Sequence, residues 1–348
     1  MKVKIVSVYS IIHFIVDLAC CVLVVNVIQQ KIDSTLNVFI CMVIYNFFAF
    51  AMQFPIGIIA DKINKNALFS AIGCLLVVIA YGLSDFGIIA CLVAGIGNSM
   101  FHIGGGIDVL NISNKKAALS GIFVSTGALG IFLGGKSLEI GFNRYYIIIL
   151  ATILSAIVLF WLDYNIKDKV NNEEVIIPKI KRNEIIAIIC LIITVCIRSY
   201  VGLILAFEWK NTFVLALLSV LAVVFGKMIG GFIGDKIGFI KSSLISLIVS
   251  AFLYIFAFNN SVIGILAILF FNMTMPITLT AISNILNNNK GMAFGFLTLA
   301  LFIGAIPVFL GYTKKFFNPQ GLFIITIISA IILYVGIKKY NNFMEKTK

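Results

Sequence analysis

The chain of 348 residues has two histidines, His13 and His102, and both lie inside long apolar runs. The first run reads VYSIIHFIVDLACCVL, so His13 and Asp17 stand four residues apart and share one face of a helix. A carboxylate and an imidazole side by side, away from bulk water, can pass a proton between them. The second histidine sits in GIGNSMFHIGGG, residues 95–106. Asn98 precedes His102 by four on the same face, and Asp108 follows six residues later, near the end of the run. Gly95, Gly97, Gly104, Gly105 and Gly106 would let another helix or a substrate approach the backbone. Glycine is also where a span can unwind beside a cavity. His102 is therefore either a relay for protons or substrate, or a hydrogen-bonded brace in a tight helix crossing. That both histidines lie in apolar runs favours the relay.

Only two basic residues fall inside apolar runs, Arg198 and Lys227. Arg198 is either the counter-charge for Asp17 or an anchor for an anionic substrate. Lys227 is near a run's end and can snorkel to the interface. The seven cysteines all fall inside apolar runs with no CxxC pair, and read as small apolar residues. His13 and Asp17 have no third ligand or nucleophile near them in sequence. No metal site, cofactor or enzyme chemistry is expected, which weighs against a membrane-embedded transferase. A non-transporting sensor would be expected to carry a signalling domain, and none is attached. No G-x-x-x-x-G-K-[ST] loop is present, so nothing suggests ATP use by this chain.

The elements that must position these residues are membrane spans. The sequence is 61% hydrophobic and only 11% charged, far from the charge content of a soluble domain. Twelve apolar runs are long enough to cross a bilayer: 5–28, 35–59, 66–83, 86–108, 117–135, 145–164, 184–206, 211–234, 242–259, 261–285, 291–312 and 320–337. With the N-terminus in the cytoplasm, eighteen Lys and Arg fall on the cytoplasmic side and six on the other. Both termini are then cytoplasmic, in the plasma (inner) membrane. The net charge of +12 is scattered over short loops, so no nucleic-acid partner is expected. The expected partners are the lipid bilayer, protons and a small-molecule substrate, with the chain a monomer.

An internal repeat organises the spans. GIIADKI at 57–63 and GFIGDKI at 231–237 are offset by 174 residues, half the chain. The same offset pairs Asn98 with Asn272, Asn114 with Asn288, Gly121 with Gly295 and Gly130 with Gly304. The chain is thus two six-span halves, 1–164 and 184–348, joined by a polar cytoplasmic linker at 165–183. Parallel six-helix repeats with a site between them are a transporter plan. In each copy, Gly57 or Gly231 allows a neighbouring helix close approach. Asp61 or Asp235 can meet that helix's positive N-terminus, while Lys62 or Lys236 faces anionic headgroups. Such a latch would hold one face of a transporter shut.

The G-x-x-x-D-K-I copies resemble the loop motif of the major facilitator superfamily, here without its run of arginines. Within that superfamily, IIHFIVDLACCVLVVNVI is similar to the first helix of the fosmidomycin-resistance branch, with its His and Asp four apart. GIGNSMFHIGG resembles that branch's G-x-G-S-S-x-F-H-P-E segment, with Ile103 and Gly104 in place of Pro and Glu. ALSGIFVSTGALGIFLGG is similar to its Gly-rich fifth helix. MIGGFIGDKIG and NKGMAFGFLTLALFIG resemble its eighth and eleventh. The resemblance implies an all-α protein of twelve transmembrane helices in two tandem six-helix repeats. It also implies proton-coupled antiport and efflux of a drug-like or small organic solute, with Asp17, His13 and His102 carrying the proton. Asn98, Asp108 and Arg198 are then substrate or charge partners. The alternative is a proton-independent or importing carrier of a small anionic metabolite held by Arg198.

Overall fold

The computed structural model describes residues 2–32, 34–141, 145–166, 181–312 and 316–346. The linker expected at 165–183 falls largely outside them. Among the described residues there is no strand. Twelve apolar helices follow one another: α1 Lys2–Val27, α2 Thr35–Ile63, α3 Asn66–Gly82, α4 Gly87–Ile112, α5 Ala118–Gly135 and α6 Tyr145–Ile166 in the first repeat. The second holds α7 Arg182–Ile204, α8 Phe213–Ile237, α9 Phe239–Phe256, α10 Ser261–Leu286, α11 Lys290–Phe309 and α12 Pro319–Lys346. Eleven are long and apolar enough to cross a membrane by themselves, and α3 is a shorter apolar helix of 17 residues.

Helices are the form such a sequence must take in hydrocarbon, because each satisfies its own backbone. Their starts are capped where polar residues break the apolar runs. Asn260 Oδ1 accepts from the backbone of Val262 at 3.0 Å and Ile263 at 3.2 Å, and Thr212 caps Leu215. On α6 the exposed side chains Ile147, Leu150, Leu154, Ile157 and Trp161 form a stripe at helical spacing, the face that lipid covers.

Three departures from regular helix matter. α1 and α2 each contain a π-helical stretch, Val22–Val27 and Phe47–Ala51. Neighbours satisfy backbone that such widened turns free: the Ser99 hydroxyl donates to the Phe48 carbonyl. From the first stretch itself, the Asn26 amide donates to the Gly134 carbonyl at 2.9 Å and to Ser137 Oγ at 2.6 Å. α10 is interrupted at Met273–Thr274, with Pro276 opening its second segment. α12 continues to Lys346, past the apolar limit at 337, because Tyr340 packs there: its ring stacks on Phe239 at 5.8 Å and its hydroxyl accepts from Asn284 at 2.8 Å.

The chain forms two compact units that do not follow the linear halves. The first comprises residues 1–112, 126–176 and 288–299; the second comprises 113–125, 177–287 and 300–348. The first unit therefore includes the start of α11, and the second includes the start of α5.

The unwinding that the glycines of GIGNSMFHIGGG would permit does not occur. α4 is unbroken from Gly87 to Ile112. Its glycines instead face other elements of the first unit at backbone distance. A Cβ at Gly97 would lie 2.6 Å from the Gly73 carbonyl oxygen, one at Gly95 2.6 Å from Phe48 Cβ, and one at Gly106 2.6 Å from the Phe294 ring. Absent side chains let α2, α3 and the start of α11 come against α4, which fixes the height and rotation of His102.

Candidate functional site

His13 and Asp17 lie on one face of α1, as their spacing requires, with His13 Nε2 3.1 Å from Asp17 Oδ2. α4 carries His102 to the same point. His102 Nε2 stands 2.8 Å from His13 Nε2 and 3.6 Å from Asp17 Oδ1. All three are buried, with 5%, 7% and 8% exposure for His13, Asp17 and His102, so water cannot solvate the cluster freely. The expectation that His13 and Asp17 lack a third partner is corrected here: His102 fills that position from 85 residues further along the chain than Asp17.

Asn98, one turn before His102, acts on both sides of the cluster. Its side-chain amide donates to Asp17 Oδ1 at 3.0 Å. Its backbone carbonyl lies 2.9 Å from His102 Nδ1. A carbonyl only accepts, so Nδ1 carries the N–H and donates; in the neutral ring Nε2 is then left with a bare lone pair. That lone pair points at His13 and Asp17. Phe101, fully buried, closes one side, its ring centroid 6.1 Å from that of His13 and 5.5 Å from that of His102.

The third wall is α5, and its contribution is a missing side chain. A Cβ at Gly127 would fall inside contact distance of both Asp17 Oδ2 and His13 Nε2. Gly130 and Gly134 extend the same edge along α1, against Phe14, Leu18 and Cys21. The repeat offset singles out Gly130 in the sequence but not Gly127. The spacing of small residues at 127, 130 and 134 is the signal that could have found it.

Other candidates are placed elsewhere. Asp108 is held by the Tyr9 hydroxyl at 2.5 Å and the Asn66 amide at 2.8 Å, a polar knot tying α1, α3 and α4. Neither partner was singled out from the sequence. In the second unit, Arg198 of α7 is 7% exposed and donates from Nη1 to Thr278 Oγ1 at 3.3 Å. Among the described residues of that unit it has no acidic partner. Lys227 Nζ donates to the Val124 carbonyl at 3.0 Å.

The repeated motifs have matching geometry. Asp61 accepts the backbone N–H groups of Gly291 at 2.7 Å and Met292 at 2.8 Å, at the start of α11. Asp235 accepts those of Ala117 at 2.7 Å and Ala118 at 2.9 Å, at the start of α5. Each carboxylate therefore sits on the positive end of a helix dipole. A Cβ at Gly231 would lie 2.6 Å from the Ala117 carbonyl oxygen, and one at Gly57 would overlap that of Gly291. Lys62 and Lys236, the next residues, are exposed.

No family model and no curated protein matches the sequence. Solved structures do match over nearly the whole chain. The E. coli fucose:proton symporter aligns with a TM-score of 0.70 at 12% identity, covering 97% of this chain and 99% of that one. A structure of FucP as a major facilitator superfamily transporter aligns at 0.66 with 14% identity, over 96% and 98% of the two chains. A bacterial homologue of the iron transporter ferroportin aligns at 0.65 with 11% identity, over 98% and 99%. The fold is that of major facilitator transporters.

Proposed function

We propose that this chain is a proton-coupled secondary transporter of the plasma (inner) membrane, acting as a monomer, that exports a small organic solute by alternating access. The observation that carries the reading is the buried cluster of His13, Asp17 and His102. Two imidazole nitrogens at 2.8 Å share one hydrogen, which a neutral ring already supplies, and the adjoining carboxylate lets the three groups together take up and release one further proton. A membrane-buried group of this kind is costly to keep without a task. Asp17 is the proton's main seat, His13 shares it, and His102 relays it, with Asn98 holding Asp17 and His102 in place. Asp61 and Asp235, with their lysines and glycines, act as latches that hold one face closed. The fosmidomycin-resistance resemblance supports export of a drug-like solute.

The test uses inside-out vesicles with an acid interior, a pH-sensitive dye, and a panel of anionic and cationic drugs. A compound should collapse the gradient with wild-type protein and fail to do so with Asp17→Asn. Equal collapse by that variant overturns the reading. A second reading is favoured by Arg198, whose buried guanidinium has no acidic partner among the described residues of its own unit. There the chain is a proton-independent or importing carrier of a small anionic metabolite, and Asp17→Asn keeps full flux.

A further inference from the structure

We infer that His13, Asp17 and His102 form a binding site for one divalent transition-metal cation of the zinc class. The inference rests on the reading of this cluster as the transporter's ion site and names a second ion that the site accepts. Two imidazole nitrogens and one carboxylate are a donor set that suits zinc and its first-row neighbours rather than magnesium or calcium, which favour all-oxygen shells.

The geometry is close to what such an ion imposes. Around a tetrahedral metal with bonds of roughly 2.0–2.1 Å, donor atoms stand about 3.3 Å apart. Here the separations are 2.8 Å between the two Nε2 atoms, 3.1 Å from His13 Nε2 to Asp17 Oδ2 and 3.6 Å from His102 Nε2 to Asp17 Oδ1. Shifts of a few tenths of an ångström in side chains centre a cation among them. The support behind the donors is also present. His102 donates through Nδ1 to the Asn98 carbonyl at 2.9 Å, which presents the Nε2 lone pair inward. Hydrogen bonds of this type orient metal-bound histidines. Asp17 keeps Oδ1 fixed by the Asn98 amide while Oδ2 faces His13. On the remaining side stands Gly127, where any side chain would collide with two of the donors.

The cysteines do not compete as ligands. Cys20 has Sγ 3.7 Å from Asn98 Nδ2 and is not part of the convergent set. The site is confined to one repeat: the 174-residue offset that relates the halves puts Ala187, Leu191 and Pro276 where His13, Asp17 and His102 stand. The chain therefore binds one cation at this site, not two.

The experiment titrates the purified full-length chain, in detergent and with a histidine-free affinity tag, with Zn2+ by calorimetry in the presence of excess Mg2+. One Zn2+ per chain is expected. Asp17→Asn and His102→Gln should each weaken it by more than about a hundredfold, beyond the loss seen when only an orienting group is removed. X-ray absorption on the zinc-loaded wild type needs no variant, and should show two imidazoles and oxygen with no sulfur. Absence of stoichiometric Zn2+, full displacement by Mg2+, a sulfur shell, or unchanged binding in both variants overturns the inference. The vesicle assay separates it from the proton reading. Proton-coupled flux without Zn2+ binding sinks the metal site alone, and Zn2+ binding as described without proton movement sinks the proton reading alone.

Discussion

His102 meets His13 nitrogen to nitrogen, Nε2 to Nε2 at 2.8 Å, with the ring planes 86° apart. Two lone pairs cannot face each other at that distance, so one ring presents an N–H and the other a lone pair, a hydrogen bond between the two imidazoles. The relationship depends on three helices. α1 supplies His13 and Asp17, α4 supplies His102 and Asn98, and α5 supplies room.

Gly127 is the position where that dependence is most exposed. Gly127→Ala places a methyl against Asp17 Oδ2 and His13 Nε2, so both side-chain ends must move out of the geometry that brings them to His102. Proton-coupled flux in vesicles should fall by at least about tenfold, equivalent to roughly 1.4 kcal/mol at the transition state. Gly135→Ala is the matched control. It has only Cys21 Sγ nearby, at an ordinary 3.7 Å, and should retain flux. Equal loss in both would show that α5 tolerates no added volume anywhere, and that the cluster is not the reason.

The two carboxylates that grip helix starts should not contribute equally. Asp61 is half-buried and Asp235 is exposed, although each grips two backbone N–H groups at a helix start. A carboxylate at a helix N-terminus contributes about 0.3–1 kcal/mol when exposed and up to ~2 kcal/mol when partly buried. Asp61→Asn should lower the melting temperature in detergent more than Asp235→Asn, and both should slow transport. A larger effect at Asp235 would contradict the dipole argument.

The fold was legible because bilayer physics leaves few choices. Apolar runs of span length became helices, and the 174-residue repeat at GIIADKI and GFIGDKI located both carboxylates that grip helix starts. It even relates their partners, since Ala117 and Ala118 sit 174 residues before Gly291 and Met292. The cluster was only half legible. His13 and Asp17 announce each other by spacing, but nothing local says that His102 closes on them. That contact depends on how far α4 sinks against α2 and α3, which Gly73, Gly95 and Gly97 set by having no side chain. The convergence of His13, Asp17 and His102 is not visible in any one stretch of chain, because helical bundles assemble such clusters from several. Gly127 was missed for the same reason: a glycine's role lies in what faces it.

Lys210 gives a pH-dependent signature outside the membrane spans. It lies in the short Glu208–Asn211 turn, its Nζ donates to the Leu205 carbonyl at 2.8 Å, and it sits 5.3 Å from the Phe207 ring centroid and 5.7 Å from that of Trp209. Burial pushes its ammonium down to about 8 from the ordinary 10.5. The unfolded chain therefore holds this proton at pH values where the folded one has released it. Stability then rises with pH across the window from about 8 to 10.5. The melting temperature should climb over that window for wild type and climb less for Lys210→Met. Identical slopes would place the effect elsewhere.

Arg198 tests whether the transported solute carries negative charge. Its guanidinium is buried, permanently charged and met within its own unit by a hydroxyl rather than a carboxylate. An anionic group on the solute would complete it with two parallel N–H donors, a geometry that an ammonium cannot reproduce. Arg198→Lys should therefore raise KM for carboxylate or phosphonate solutes by roughly tenfold or more, as expected for a charge-assisted pair of about 1.5–3 kcal/mol. Transport of cationic solutes should not weaken with it. Arg198→Met should remove anion transport while the chain still elutes as a folded species, since a methionine of similar length fills the space without an unpaired charge. If both variants carry anions at the wild-type KM, Arg198 is a structural charge held by Thr278, and the solute's recognition lies in other residues.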